Sequence, residues 1–236
     1  MRNILPGTCV FIFFAVAFLS FSGCSKKNDA ETLVIHPTIN PAPYSVLVYL
    51  ITPTDKSFNP QYYTVAKSCI LNLQNWYKSQ LGNGKTFLLN PVVVDTLTGL
   101  HNSAWFNIYN GDGISSNTLS YAYHNTKYEL RQLLGAKFDT TLYTYFVYVS
   151  ADFPDETIPR GLAAEGSSNL EGLEGNSPDI FIGGAGHSLG HAFGLPEVPV
   201  ENSDGIMSLG FPKYPHCLLQ QSEKDSLNAS PFFQIR

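Results

Sequence analysis

Residues 187 to 197 read HSLGHAFGLPE. His187 and His191 stand four apart, which on an α-helix puts both imidazoles on one face, within reach of a single ion. Gly194 lets the chain leave such a helix through a left-handed residue, and Leu195-Pro196 then holds it extended. Glu197 can swing back from there and add a carboxylate to the two rings. Imidazole and carboxylate are donors that zinc takes, so the spacing points to a three-ligand set of His187, His191 and Glu197. The same stretch carries a second pattern, because Gly186, Ser188 and Gly190 spell G-x-S-x-G. A serine nucleophile at Ser188 requires a strand ending at the serine and a helix beginning there.

Periodicity and punctuation give the elements that must hold these residues. YSVLVYLIT (44–52) is rich in β-branched and aromatic residues and reads as a buried strand. In 59–82, Val65, Cys69, Leu73, Trp76 and Tyr77 recur at helical spacing, with Gly82 as a stop. KTFLLNPVVVDTL (85–97) is a second strand region, interrupted by Pro91. A second helix is expected over 116–135 and a strand over 141–150. From 155 to 176 the chain turns polar and Gly-rich, which predicts a long loop. Ser177 and Pro178 then supply the cap and first position of a helix carrying the histidines. That helix holds Gly183, Gly184, Gly186 and Gly190, each costing about 1 kcal/mol against alanine. Its reason to exist must be close approach of neighbouring chain. The order predicts an α/β (α+β) fold: a mixed twisted sheet, two long helices, the motif-bearing helix and an irregular C-terminal part.

H-S-L-G-H-A-F-G-L-P-E resembles the metzincin zinc-peptidase signature H-E-x-x-H-x-x-G-x-x-H. In DGIMSLGF, Met207 falls where that family has the methionine of its Met-turn, and YPHCLLQQSEKDSLNASPFF is similar to the tail of metzincin-like bacterial lipoproteins. The resemblance implies a metzincin-like domain over 43–236, a zinc cofactor, and a cleft for a peptide or protein ligand. Two departures bear on activity. The family's glutamate takes the proton of the attacking water, and Ser188 stands in its place without a carboxylate. Losing a positioned general base removes about 10²- to 10⁴-fold in rate. Glu197 occupies the third histidine position, where its charge would make the ion a weaker Lewis acid. The resemblance therefore implies a metallopeptidase homologue with impaired or lost hydrolysis, acting by binding or scaffolding. An active zinc endopeptidase using a substitute base (Glu165, Glu171, Glu174, Glu201, Asp204 or Glu197 itself) is the alternative. A serine hydrolase on Ser188 is the third reading.

The N-terminus gives the setting. One arginine precedes an apolar run that ends in FSGC, a pattern resembling the bacterial lipobox, in which Cys24 is lipidated after removal of residues 1–23. Residues 24–42 read as a polar, Pro-punctuated tether. The expected protein is exported and held in the cell envelope through its lipid, at the outer membrane or cell surface. Without residues 1–23 the chain keeps 13 of its 14 basic residues and all 19 acidic ones, net −6, which argues against nucleic acid as partner. Cys69 and Cys217 remain, able either to pair or to stay buried as free thiols. Oligomeric state leaves no trace in the sequence.

Overall fold

Pro91 divides what would otherwise be one long strand, and the sheet is built around that break. The computed structural model describes residues 41–108, 121–153, 160–198 and 204–236. The leader, Cys24 and the tether up to residue 40 lie outside the described residues, as do Glu201 and the expected start of the second helix at 116–120. Ser45–Thr52 (β1), buried along its whole length, is the central strand. On one flank it pairs in parallel first with Lys85–Leu89 (β2) and further along with Asp95–Thr98 (β3), the two pieces either side of Pro91. On the other flank Tyr143–Val149 (β4) pairs in parallel over seven residues.

Pro60–Leu81 (α1) starts at Asn59, whose side chain accepts the Gln61 N–H, and stops at Gly82 with φ 68°. It buries Cys69, Leu73, Trp76 and Tyr77 of the apolar stripe read from the sequence, together with Ile70, while Val65 is half-buried. Tyr121–Leu134 (α2) is the second long helix. Cys69 and Cys217 are buried and free. No helix among the described residues is long and apolar enough to cross a membrane.

One expectation is corrected. The stretch expected as a loop over 155–176 contains a strand, Leu162–Glu165 (β5), parallel to β4 at the sheet edge, and a helix, Ser167–Glu174 (α3). Its small residues are there for packing. A Cβ on Gly172 would overlap the Phe181 ring, and one on Gly166 would lie 3.0 Å from the Phe153 carbonyl oxygen. The C-terminal part is irregular over 204–220, as expected, and then forms Gln221–Ala229 (α5) and Phe233–Ile235 (β6), the latter antiparallel to β2. The start of α5 is a capping box in which Gln220 and Glu223 satisfy each other's backbone N–H groups.

Candidate metal site

Pro178–Ala192 (α4) carries the site. Ser177 precedes it as expected but makes no capping hydrogen bond with its side chain. A Cβ on Gly183 would overlap the Phe211 carbonyl oxygen, and one on Gly190 would overlap Met207 Sδ. The glycines thus let the Met207 turn and the turn at Phe211 lie directly on the helix, which offsets their poor propensity. Tyr77 from α1 donates its hydroxyl to the Gly186 carbonyl at 2.9 Å, bracing α4 from the other side.

Gly194 leaves the helix with φ 92°, and the Leu195 N–H reaches back to the Gly190 carbonyl at 3.0 Å. The Val198 N–H then bonds the Met207 carbonyl at 2.9 Å, tying the outgoing segment to the Met207 turn. Met207 itself is fully buried. These contacts return Glu197 to the two histidines. His191 Nε2 lies 3.1 Å from His187 Nε2 and 3.0 Å from Glu197 Oε2, and His187 Nε2 lies 3.5 Å from the same oxygen.

The protonation of this cluster follows from its partners. His187 Nδ1 is 2.8 Å from the Ile206 carbonyl and His191 Nδ1 is 3.0 Å from the Leu195 carbonyl. A carbonyl only accepts, so each Nδ1 carries the proton and donates it. In the neutral rings both Nε2 atoms then present lone pairs, to each other and to a carboxylate. Burial holds the His187 pKa below its ordinary value, with the neighbouring His191 adding to the effect, so the neutral form is favoured. Three acceptors face one another with no proton between them. A tetrahedral zinc with ligands at about 2.0–2.1 Å spaces its donor atoms about 3.3 Å apart. The observed edges of 3.0 to 3.5 Å fit that triangle. His191 is 6% exposed and Glu197 59%, so the cluster opens to solvent on the carboxylate side.

The carbonyls of Ile206 and Leu195, which fix the ring orientations, were not singled out from the sequence. Leu195 lies inside the motif and Ile206 precedes Met207, so their positions were the available signal. Phe211, whose ring lies 5.3 Å from that of His187, had no signal at all.

Ser188 sits inside α4, 7% exposed, between two turns of continuous helix. A strand ending at the serine is absent, so the context a serine nucleophile needs is not the one found. Of the candidate substitute bases, Glu165 is buried on β5 and Glu171 accepts from the Tyr62 hydroxyl at 3.3 Å. Glu174 is exposed at the end of α3, and Asp204 pairs with Lys213 at 2.5 Å. Among the described residues, none of these joins the cluster of His187, His191 and Glu197.

No family model matches this chain, and no curated protein matches it. Among solved structures it is similar to catalytically inactive OgpA from Akkermansia muciniphila, determined in complex with an O-glycopeptide (glycodrosocin) substrate. That match has a TM-score of 0.60 at 14% identity, over 87% of this chain and 65% of the OgpA chain. The likeness is one of fold, and this chain spans less than two thirds of that protein's length. Archaemetzincin from Methanopyrus kandleri aligns with a TM-score of 0.40 at 13% identity, over 79% of this chain and 96% of that one, and no argument rests on it. The mixed α/β class expected from the sequence is the class found.

Proposed function

We propose that this chain is an exported, lipid-anchored protein whose metzincin-like domain holds zinc on His187, His191 and Glu197 and binds peptides with little or no hydrolysis. One observation carries the reading: three acceptor atoms converge at zinc-ligand spacing, while the next helix position holds Ser188. An ion held there supplies Lewis acidity. The chain's own residues do the rest. Ile206 and Leu195 hold both rings in the ligating tautomer, and Glu197 offsets part of the ion's charge. What is missing is a carboxylate at position 188 to take a proton, a loss worth about 3–5 kcal/mol of barrier. The O-glycopeptide bound by OgpA supports a peptide or glycopeptide chain as the ligand class. The FSGC ending supports lipidation at Cys24 and a place in the cell envelope.

The test is proteolysis of unstructured protein and glycoprotein substrates. The unmodified protein should show no activity above background. Ser188→Glu should yield weak, chelator-sensitive cleavage, and Ser188→Glu with Glu197→His should do better. Robust chelator-sensitive proteolysis by the unmodified protein would instead establish the substitute-base enzyme. Chelator-insensitive esterase activity abolished by Ser188→Ala would establish the serine hydrolase. Cys24→Ala should release the protein from the membrane fraction or block its processing, and an unchanged membrane-bound product would exclude the anchor.

A further inference from the structure

A second site lies at the other end of the sheet. The Gly161 N–H, just before β5, bonds the Ala192 carbonyl, so the histidine-bearing end of α4 lies beside the amino ends of the strands. At the carboxyl ends, a crevice of about 630 Å³ opens between the residues that follow β1 and those that follow β4. The chain leaves β1 through α1 towards β2 and leaves β4 in the opposite direction towards β5. A crevice outside two neighbouring parallel strands whose connections diverge is where open α/β sheets take ligands.

Among the described residues, all that line this crevice except Ala104 carry a polar side chain. Ser150 continues the face of β4 that holds Phe146 and Tyr148, so its side chain points in from the floor. The residue is only 8% exposed and borders the crevice. A hydroxyl that faces a cavity can both donate to and accept from what enters it. Around it stand Lys56 and Asn59 after β1, Tyr62 on α1, Asp152 after β4 and Glu171 on α3.

The charges select the ligand. An anion would meet the two carboxylates of Asp152 and Glu171, and a cation would meet Lys56 and the positive N-terminal ends of α1 and α3. With one apolar side chain in the lining, an apolar ligand gains little. A neutral molecule that both donates and accepts at many points satisfies carboxylates, ammonium and hydroxyls together. From this we infer that the crevice binds a neutral saccharide unit, of mono- or disaccharide size, independently of the metal site.

The test is saturation-transfer NMR on the full chain with glucose, galactose, N-acetylglucosamine, maltose and lactose as probes, and inorganic phosphate as the anionic comparison. At least one saccharide should give a signal at millimolar concentration. Its affinity should fall about fivefold or more in Ser150→Val and in Asp152→Ala. It should be unchanged in the double variant His187→Ala with His191→Ala. Asp152 is exposed, so its variant keeps the test open if Ser150→Val does not fold. No signal from any of the saccharides overturns the inference, as does a signal that survives both substitutions or binding of phosphate in place of sugar.

Discussion

Gly183 and Gly184 are neighbours in α4 with opposite surroundings, and replacing each by alanine tests the packing that holds the metal site. Within a helix, alanine is favoured over glycine by about 1 kcal/mol. An ideal Cβ on Gly184 meets nothing within 4 Å, so that gain should be realised in full. For a domain of this size it corresponds to a rise of about 2–4 °C in Tm. On Gly183 the same methyl overlaps the Phe211 carbonyl oxygen and stands 2.9 Å from its carbon and 3.0 Å from Tyr214 Cβ. The obstacle is backbone, pinned by the Tyr214 N–H bonding the Phe211 carbonyl at 3.1 Å, and it cannot rotate aside. Overpacking at the upper end of the usual range, about 3 kcal/mol, leaves a net loss of about 2 kcal/mol once propensity is credited. Gly183→Ala should therefore lower Tm by about 4–8 °C while Gly184→Ala raises it. Thermal unfolding followed by circular dichroism reads both. Shifts of the same sign, or a neutral Gly183→Ala, would refute the account of why this helix is rich in glycine.

Three further outcomes follow from buried and half-buried groups. Tyr77→Phe removes the hydroxyl that satisfies the buried Gly186 carbonyl, and should cost about 1–3 kcal/mol, read by chemical denaturation. Burial raises the Glu223 pKa above its ordinary 4.5, so its contribution is fully present below that value and is lost as pH rises through the folded pKa. The Tm advantage of the wild type over Glu223→Gln should accordingly shrink from pH 4 towards neutrality, and an advantage that grows would contradict the burial argument. His187, held below 6.5, contributes stability that is present above 6.5 and lost as pH falls through its folded pKa. The metal-free protein should therefore lose stability on acidification below about 6.5, less so in His187→Ala, as melts across that range will read.

Much of this was legible because the signals were local. The β-branched run of β1, the stripe and Gly stop of α1, and the break at Pro91 each left a mark at the right place. The histidine spacing and the left-handed Gly194 likewise anticipated that His187, His191 and Glu197 come together. What was missed had its cause in tertiary packing. β5 is the four residues LAAE, too short to show a pattern of its own, and its burial comes from β4 and α4. Gly166 and Gly172 read as loop punctuation but serve close contacts with Phe153 and Phe181. α5 is a polar helix whose one clear signal, glutamine followed three residues later by glutamate at 220 and 223, was present in the sequence and passed over. The polar crevice at the carboxyl ends of β1 and β4 draws on four separate stretches of chain, so no local pattern announces it.

The most direct test of the central claim is the zinc stoichiometry of the purified protein, measured by elemental analysis after dialysis against zinc and then against metal-free buffer. The account predicts one zinc per chain in the wild type and none in the double variant His187→Ala with His191→Ala. Glu197→Ala should bind more weakly than wild type, since it loses one of three donors. A wild-type protein that retains no zinc, or a double variant that still holds one per chain, would contradict the site built from His187, His191 and Glu197.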